Sequence, residues 1–302
     1  MSRRRVFGAN VAAWLAATGM AVALSGAPGS RGGGPAAGPR ETVAQVTDES
    51  GRSVAVRPWA RIVSASWLAD ALLLELCEPD RIAAFTVASE QSSRAYRFSG
   101  KPHIDGLGPL EPILALKPDL LLSNSLSDPG RAARLRDLGV EVFDLGGLHG
   151  LGSLTRAAEQ IGALLGDPER GRRYAAALRV RMSRVAAPLG DRPRRRALYL
   201  SVISTHLFGG TRGTSYHDVL TAAGLDDVAA ASHEGWPEYR AETVLGFAPD
   251  VIVTKTGGGA AVCGQPGLGT LAACRTPGAI LEMPEGLIDD PGPSMLEAAE
   301  LL

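Results

Sequence analysis

Residues 111–122 read EPILALKPDLLL and residues 242–253 read ETVLGFAPDVIV, so Glu, Leu, Pro and Asp recur in register at an offset of 131 (242 − 111), with apolar residues in matching places. The chain carries an internal duplication. In the first copy Ile113, Leu114 and Leu116 make a short apolar stripe at helical spacing, Pro118 cannot continue a helix, and the run from Leu120 suits a buried parallel strand. In the second, Val244, Leu245 and Phe247 form the stripe, Pro249 stops it, and Val251, Ile252 and Val253 form the strand. Each copy predicts a helix, a Pro-Asp turn and a core strand, and each helix opens with a glutamate, Glu111 or Glu242. The helix dipole alone favours a carboxylate in a first turn. Two equivalent acids also suit two lobes that each present one carboxylate to a partner.

Working outward, strand and helix patterns alternate. Val43 to Thr47 and Ser53 to Val56 flank the turn Asp48-Glu49-Ser50-Gly51 and predict a hairpin. Arg61–Ser64 predicts a strand, Leu68–Leu76 a helix, Arg81–Val87 a strand, Gly130–Leu138 a helix and Val140–Phe143 a strand. The second half repeats this order, with a strand at Ala197–Ile203, a helix at Ser215–Ala223, the Glu242 unit, a helix around Leu268–Cys274 and a strand at Ala279–Glu282. Such alternation predicts two doubly wound α/β lobes. Between them residues 151–185 are helical in pattern. Asp167-Pro168 supplies an N-cap and a first-turn proline, and a helix from Pro168 to Pro188 would run roughly 30 Å at 1.5 Å per residue. A single long helix joining the lobes predicts only modest closure on ligand.

Residues 1–40 read as an export signal and flexible tether. Arg3, Arg4 and Arg5 precede a mostly apolar run from Val6 to Leu24, small residues follow at Ser25, Gly26 and Ala27, and a Gly/Pro/Ala tract ends the segment. A retained membrane anchor is the competing reading, because the run is nearly long enough to span a bilayer. The organisation that follows is 1–40 signal and tether, 41–149 N-terminal lobe, 150–190 linker helices and 191–302 C-terminal lobe. The first 40 residues hold five Arg and no acid, so their removal takes the formal charge from −1 to −6 (−1 − 5). A mildly acidic exported protein is a poor nucleic-acid binder. Of the three cysteines, Cys263 and Cys274 lie close enough in sequence to form a disulfide in an oxidising compartment, while Cys77, in an apolar run, predicts a buried thiol. Neither spacing is a zinc motif, and the five histidines never fall at i, i+3 or i+4, so no metal site of the protein's own is predicted.

Taken in order, these features resemble periplasmic substrate-binding proteins of ABC importers, of the class whose lobes are joined by one long helix. The resemblance covers roughly residues 43–300. It rests on Gly51-Arg52-Ser53-Val54, Arg61-Ile62-Val63-Ser64, Glu78-Pro79-Asp80-Arg81-Ile82, the two Glu-to-Pro-Asp units, Trp236-Pro237 six residues before Glu242, and Asp290-Pro291-Gly292-Pro293. It implies a ligand cleft between the lobes and a metal chelate as ligand, either a corrinoid such as cobalamin, a ferric siderophore or haem. It also implies a monomer without catalysis or a cofactor of its own, an extracytoplasmic location, and docking of Glu111 and Glu242 on arginines of two permease subunits. The chain departs from the pattern at Trp67, where relatives often carry proline, and at Ala95-Tyr96-Arg97, which replaces a usual Tyr-Pro. Both places face the cleft in the family, so this cleft is expected to be retuned.

The candidate ligand residues follow from position and chemistry. Trp67 ends a strand and Trp236 precedes a helix, where open α/β sheets present ligand contacts, and such rings hold a flat chelate by area burial. Core or inter-lobe packing is the alternative for each. Tyr96 and Arg97 sit in a polar loop, where Arg97 could pair with a ligand carboxylate and Tyr96 stack or ligate iron, or both could be solvated. Tyr216 follows a glycine-rich turn, Gly209 to Thr214, that either presents backbone N–H groups to an anion or is simply a tight turn. No Gly-x-Ser-x-Gly elbow occurs, so a two-lobed enzyme and a ligand sensor without a permease stand behind the binding protein as alternatives.

Overall fold

The computed structural model describes residues 44–91, 95–125, 128–187 and 193–302. The segment read as an export signal lies outside them. The first lobe comprises β1 (Gln45–Thr47), β2 (Ser53–Ala55), β3 (Ile62–Ser64), α1 (Trp67–Leu76), β4 (Ile82–Thr86), β5 (His103–Ile104), α2 (Leu110–Ala115), β6 (Leu120–Ser123), α3 (Pro129–Asp137) and β7 (Glu141–Asp144). The helices α4 (Gly150–Leu164) and α5 (Pro168–Ala186) follow. The second lobe comprises β8 (Arg196–Tyr199), β9 (Ser201–Ile203), β10 (His206–Phe208), α6 (Ser215–Ala222), β11 (Asp226–Asp227), β12 (Glu238–Tyr239), α7 (Ala241–Phe247), β13 (Val251–Lys255), α8 (Gly258–Cys263), α9 (Ala272–Arg275), β14 (Ile280–Met283), α10 (Glu285–Ile288) and α11 (Ser294–Leu301).

Each lobe is built on a parallel sheet, in the order β5-β4-β3-β6-β7 in the first and β11-β8-β13-β14 in the second. The central strands open on apolar runs because both of their faces are covered: Ile62, Val63, Leu120, Leu121, Leu122, Val251, Ile252 and Val253 are all fully buried. The predicted strand at Ala197–Ile203 divides instead. Leu200 still donates its N–H to the Val253 carbonyl, but β9 leaves the parallel sheet and joins β10 and β12 in a separate antiparallel sheet. The apolar run does not record this change of partner, since apolar side chains suit a buried strand in either sheet. The helix predicted near Leu268 is shorter too, a 3-10 turn at Leu268–Thr270 followed by α9.

The duplicated segments form the same structural device twice. Asp119 accepts the backbone N–H groups of Ala60 (2.8 Å) and Arg61 (2.9 Å) at the head of β3, and Asp250 accepts that of Arg196 (3.2 Å) at the head of β8. Arg61 in turn donates to the Leu116 carbonyl and Arg196 to the Phe247 carbonyl, so each short helix has its C-terminal end closed by a strand-leading arginine. Both copies then pass through a left-handed non-glycine residue, Lys117 at φ 47° and Ala248 at φ 44°. Such a residue is strained by about 1–2 kcal/mol, partly offset in glycine by its greater freedom when unfolded. Ala248→Gly should therefore raise the unfolding free energy by about 0.5 kcal/mol in urea titration. A clear loss of stability would show that Ala248 is unstrained.

Between the lobes α4 and α5 form an antiparallel pair. Asp167 caps α5 by accepting the Arg170 N–H at 2.9 Å, and Pro168 occupies the first helical position. The helices touch backbone to backbone: a Cβ on Gly162 would stand 2.6 Å from the Gly171 Cα. The pair packs on α1 in the first lobe and on α6 and α11 in the second. The α4 N-terminus is capped from the second lobe, where Asp218 Oδ2 accepts the Leu151 N–H at 2.6 Å and burial raises the Asp218 carboxyl above the usual carboxylate range. One apolar cluster runs through Leu68 and Leu72, Leu154 and Ile161, Leu178 and Met182, Leu220 and Leu296. Lobes that share a close-packed core resist large rotation, because opening would expose that surface.

Candidate functional site

The two lobes meet at a cavity of about 310 Å³ lined by Trp67, Leu148, Ser215, Tyr216, Trp236, Asp289 and Pro291. Trp67 opens α1 instead of ending the preceding strand. β3 stops at Ser64, whose hydroxyl donates to the Ser66 carbonyl (2.9 Å), and the chain turns there into the helix. Trp236 precedes β12 and α7, and its ring remains 47% exposed, so a wide apolar face is open to a ligand. Trp59, the other tryptophan of the described residues, is buried beneath the Arg57 guanidinium at 3.8 Å from its ring centre and belongs to the core.

Tyr216 occupies the first turn of α6 with its ring stacked on Tyr199 from the end of β8, centroids 3.8 Å apart. The ring lies so close over Gly210 that any Cβ there would collide with it. The glycine-rich turn thus serves ring packing at this position, and the anion reading gains no support from it. Both phenols donate to one oxygen, Asp289 Oδ1, at 2.8 Å each. Burial, reinforced by the neighbouring carboxylate, raises both phenols well above their usual range, so they stay protonated donors. A second glycine turn, Gly257 to Gly259, directs the N–H groups of Gly257 and Gly259 at Glu282 (2.9 Å each), so its nest is filled by the protein's own carboxylate.

Three of the five candidate ligand residues, Trp67, Tyr216 and Trp236, thus line one cavity, and the other two do not. Arg97 pairs with Glu75 and reaches the Leu74 carbonyl (3.4 Å), at the far end of α1 from Trp67 and about 12 Å away along the helix. Tyr96 is 76% exposed beside it. A polar loop gives no sequence signal of which way its residues turn. Leu148, Ser215 and Asp289 were not marked by the sequence, and Pro291 entered only as part of a motif. That motif, Asp-Pro-Gly-Pro at 290–293, marked the turn without showing that the preceding acid faces the cavity.

Glu111 and Glu242 each stand at the second position of their helices, α2 and α7, exposed and in equivalent places of the duplication. A larger open groove of about 680 Å³ runs beside Glu111 between α2 and α3, but Asp128, Arg131 and Arg134 on its walls suit a polar contact more than a flat apolar ligand. Cys263 and Cys274 form a disulfide with Cα atoms 5.7 Å apart, joining α8 to α9. Cys77 is a buried thiol whose pKa burial pushes up to about 11. Among the described residues no group of three or more His, Cys, Asp or Glu could hold a metal ion, and no helix is long and apolar enough to cross a membrane.

Two parallel-sheet lobes, a helical connection and an aromatic cavity at their junction define a two-lobed solute-binding architecture. Residues 62–300 match the family described as "Periplasmic binding protein", and the chain belongs to it. It is 28% identical over 145 residues to the vitamin B12-binding protein of Salmonella choleraesuis (strain SC-B67), a match that takes in 48% of this chain and 54% of that protein. The chain spans about half the length of the curated relatives it matches. Among solved structures it resembles the periplasmic heme-binding protein RhuT from Roseiflexus sp. RS-1 in apo form, with TM-score 0.68 and 21% identity over 80% of this chain and 95% of that one. It also resembles the periplasmic vitamin B12-binding protein BtuF of Vibrio cholerae, with TM-score 0.64 and 23% identity over 81% and 95%. At these identities the two structures show the shared fold.

Proposed function

We propose that the protein captures a metal chelate, a corrinoid, ferric siderophore or haem, in the cavity between its lobes and delivers it to the permease of an ABC importer outside the cytoplasm. The observation that carries this reading is the convergence of Trp67, Tyr216 and Trp236, from two lobes, on one cavity. Aromatic walls bind a flat ligand mainly by removing area from water, with few polar bonds. At about 310 Å³ the cavity is smaller than a whole corrinoid or haem, so the rest of such a ligand would lie over its mouth. The test is titration of tryptophan fluorescence with cyanocobalamin, haemin and a ferric siderophore. Quenching by one of these at stoichiometric protein supports the reading. No response to any, together with tight binding of free Zn²⁺ or Mn²⁺, would overturn it.

Docking is assigned to Glu111 and Glu242. Each sits exposed at the start of a short helix in an equivalent place, one acid per lobe, which suits a permease with two equivalent arginine sites that each grip a carboxylate bidentately. Loss of one charged pair typically costs about 2 kcal/mol, and two contacts on a rigid body reinforce one another. Glu111→Gln or Glu242→Gln should each weaken association with the importer in proteoliposomes by about tenfold or more, and the double substitution further, with chelate affinity unchanged within about twofold. Loss of chelate binding in a folded double variant, or unaltered association, would refute the assignment.

A further inference from the structure

We propose that Asp289, held by Tyr199 and Tyr216, decides which chelate the cavity accepts: it favours uncharged chelates whose rim bears hydrogen-bond donors, amide-bearing corrinoids foremost, over chelates whose rim carries carboxylates or catecholates. The inference rests on the chelate-binding reading of this cavity and narrows it to one ligand chemistry.

Three observations combine. The first is charge. Among the seven described residues that line the cavity none is Lys, Arg or His, and Asp289 is the one ionisable carboxyl among them. Arg97, placed by the sequence where it could meet a ligand carboxylate, is instead tied to Glu75 at the far end of α1. An anionic ligand rim would therefore face a carboxylate with no compensating cation among the described lining residues, and in a half-buried site such repulsion is weakly screened.

The second is the hydrogen-bond arrangement. Both phenols spend their single proton on Asp289 Oδ1, while Oδ2 takes no hydrogen bond from a described residue. The cavity thus offers a ligand an acceptor, and a half-buried acceptor left unmet costs affinity. Amide N–H groups on a chelate rim satisfy it; propionates and catecholates, which only accept, do not.

The third concerns the metal. Tyr216 is the only phenol among the described lining residues, and its oxygen is engaged with Asp289 with its proton held by burial. To act as an axial ligand to ferric iron it would have to surrender that bond and that proton, and the lining has no imidazole, thiolate or thioether to take its place. The cavity grips by its walls and selects by its one anion.

The experiment compares the affinities of cyanocobalamin, with neutral amides, and haemin, with two propionates, by absorbance and fluorescence titration of wild type, Asp289→Asn and Leu148→Lys. Asn keeps a carbonyl to accept both phenols and removes the charge. Leu148→Lys adds a cation to the lining and leaves residue 289 an aspartate, and it carries the test alone if Asp289→Asn does not fold. Wild type is expected to prefer cyanocobalamin by at least about tenfold, and each variant to narrow that ratio by about tenfold through tighter haemin binding. Equal wild-type affinities, or a ratio unmoved within about twofold in the folded variants, would overturn the assignment of Asp289 and leave chelate binding standing. Failure of wild type to bind any chelate would overturn both.

Discussion

Replacing Trp67 and Trp236 together by alanine is expected to weaken chelate binding by about 100-fold or more. Neither ring is closed off by the protein: Trp67 is half-buried at the head of α1, and Trp236 retains 47% of its surface. A flat ligand lying across both would remove on the order of 60 Å² from each ring, which at ~25 cal/mol per Å² amounts to about 1.5 kcal/mol per tryptophan. Each single substitution should then lower affinity about tenfold, and the pair about 100-fold where the two contacts act independently. The measurement is a titration of the purified variants with the chelate that quenches wild type, with thermal unfolding as a check on folding. A double variant that binds within about threefold of wild type would show that the ligand sits elsewhere.

Stability should fall as pH rises from about 4 to about 7, through Asp70. This carboxyl lies fully buried on α1, one turn from Trp67, and burial pushes its pKa up to about 7. The Thr86 hydroxyl and backbone N–H (3.1 Å) donate to it, with the Ser64 hydroxyl also acting to lower its pKa, while the charge of Asp290 from the second lobe raises it further. Desolvation outweighs the donors. The sign follows from the protons bound: between about pH 4 and pH 7 the folded protein holds a proton that the unfolded chain has released, so raising the pH across that window favours unfolding. At 1.36 kcal/mol per pH unit the loss reaches up to about 4 kcal/mol and then levels off above pH 7. Asp70→Asn keeps an acceptor for Thr86 and cannot ionise. It should remove this slope and make the protein more stable than wild type at pH 8 by a few kcal/mol. Urea titrations at pH 5 and pH 8 decide the matter, and parallel slopes in wild type and variant would refute the assignment.

Asp70 and Asp290 also show why some of this molecule was legible in the sequence and some was not. A buried polar residue in an apolar helix such as Trp67–Leu76 looks like any solvated position until the facing element is known. Here the Asp70 donor Thr86 stands on β4, and Asp290 comes from the far end of the chain.

What the sequence determined by itself was the repeating α/β order. A helix that stops at Pro-Asp and a strand buried on both faces are local consequences of proline geometry and side-chain apolarity, and they occur twice at one offset. The capped α5 was equally local, through Asp167 and Pro168. Tryptophans beside element ends pointed to a cavity because α/β sheets expose their ligand contacts there. Tertiary structure alone decided the rest. The departure of β9 from the parallel sheet depends on which strand pairs with β10, and Arg97 turned to Glu75 because a loop carries no period. Tyr199 and Tyr216 reached Asp289 across separations of 90 and 73 residues, and hydrogen bonds of that range leave no trace in local pattern. They form only where packing brings three elements to one point, and there an ordinary aspartate becomes the one anion among the described residues of an aromatic cavity.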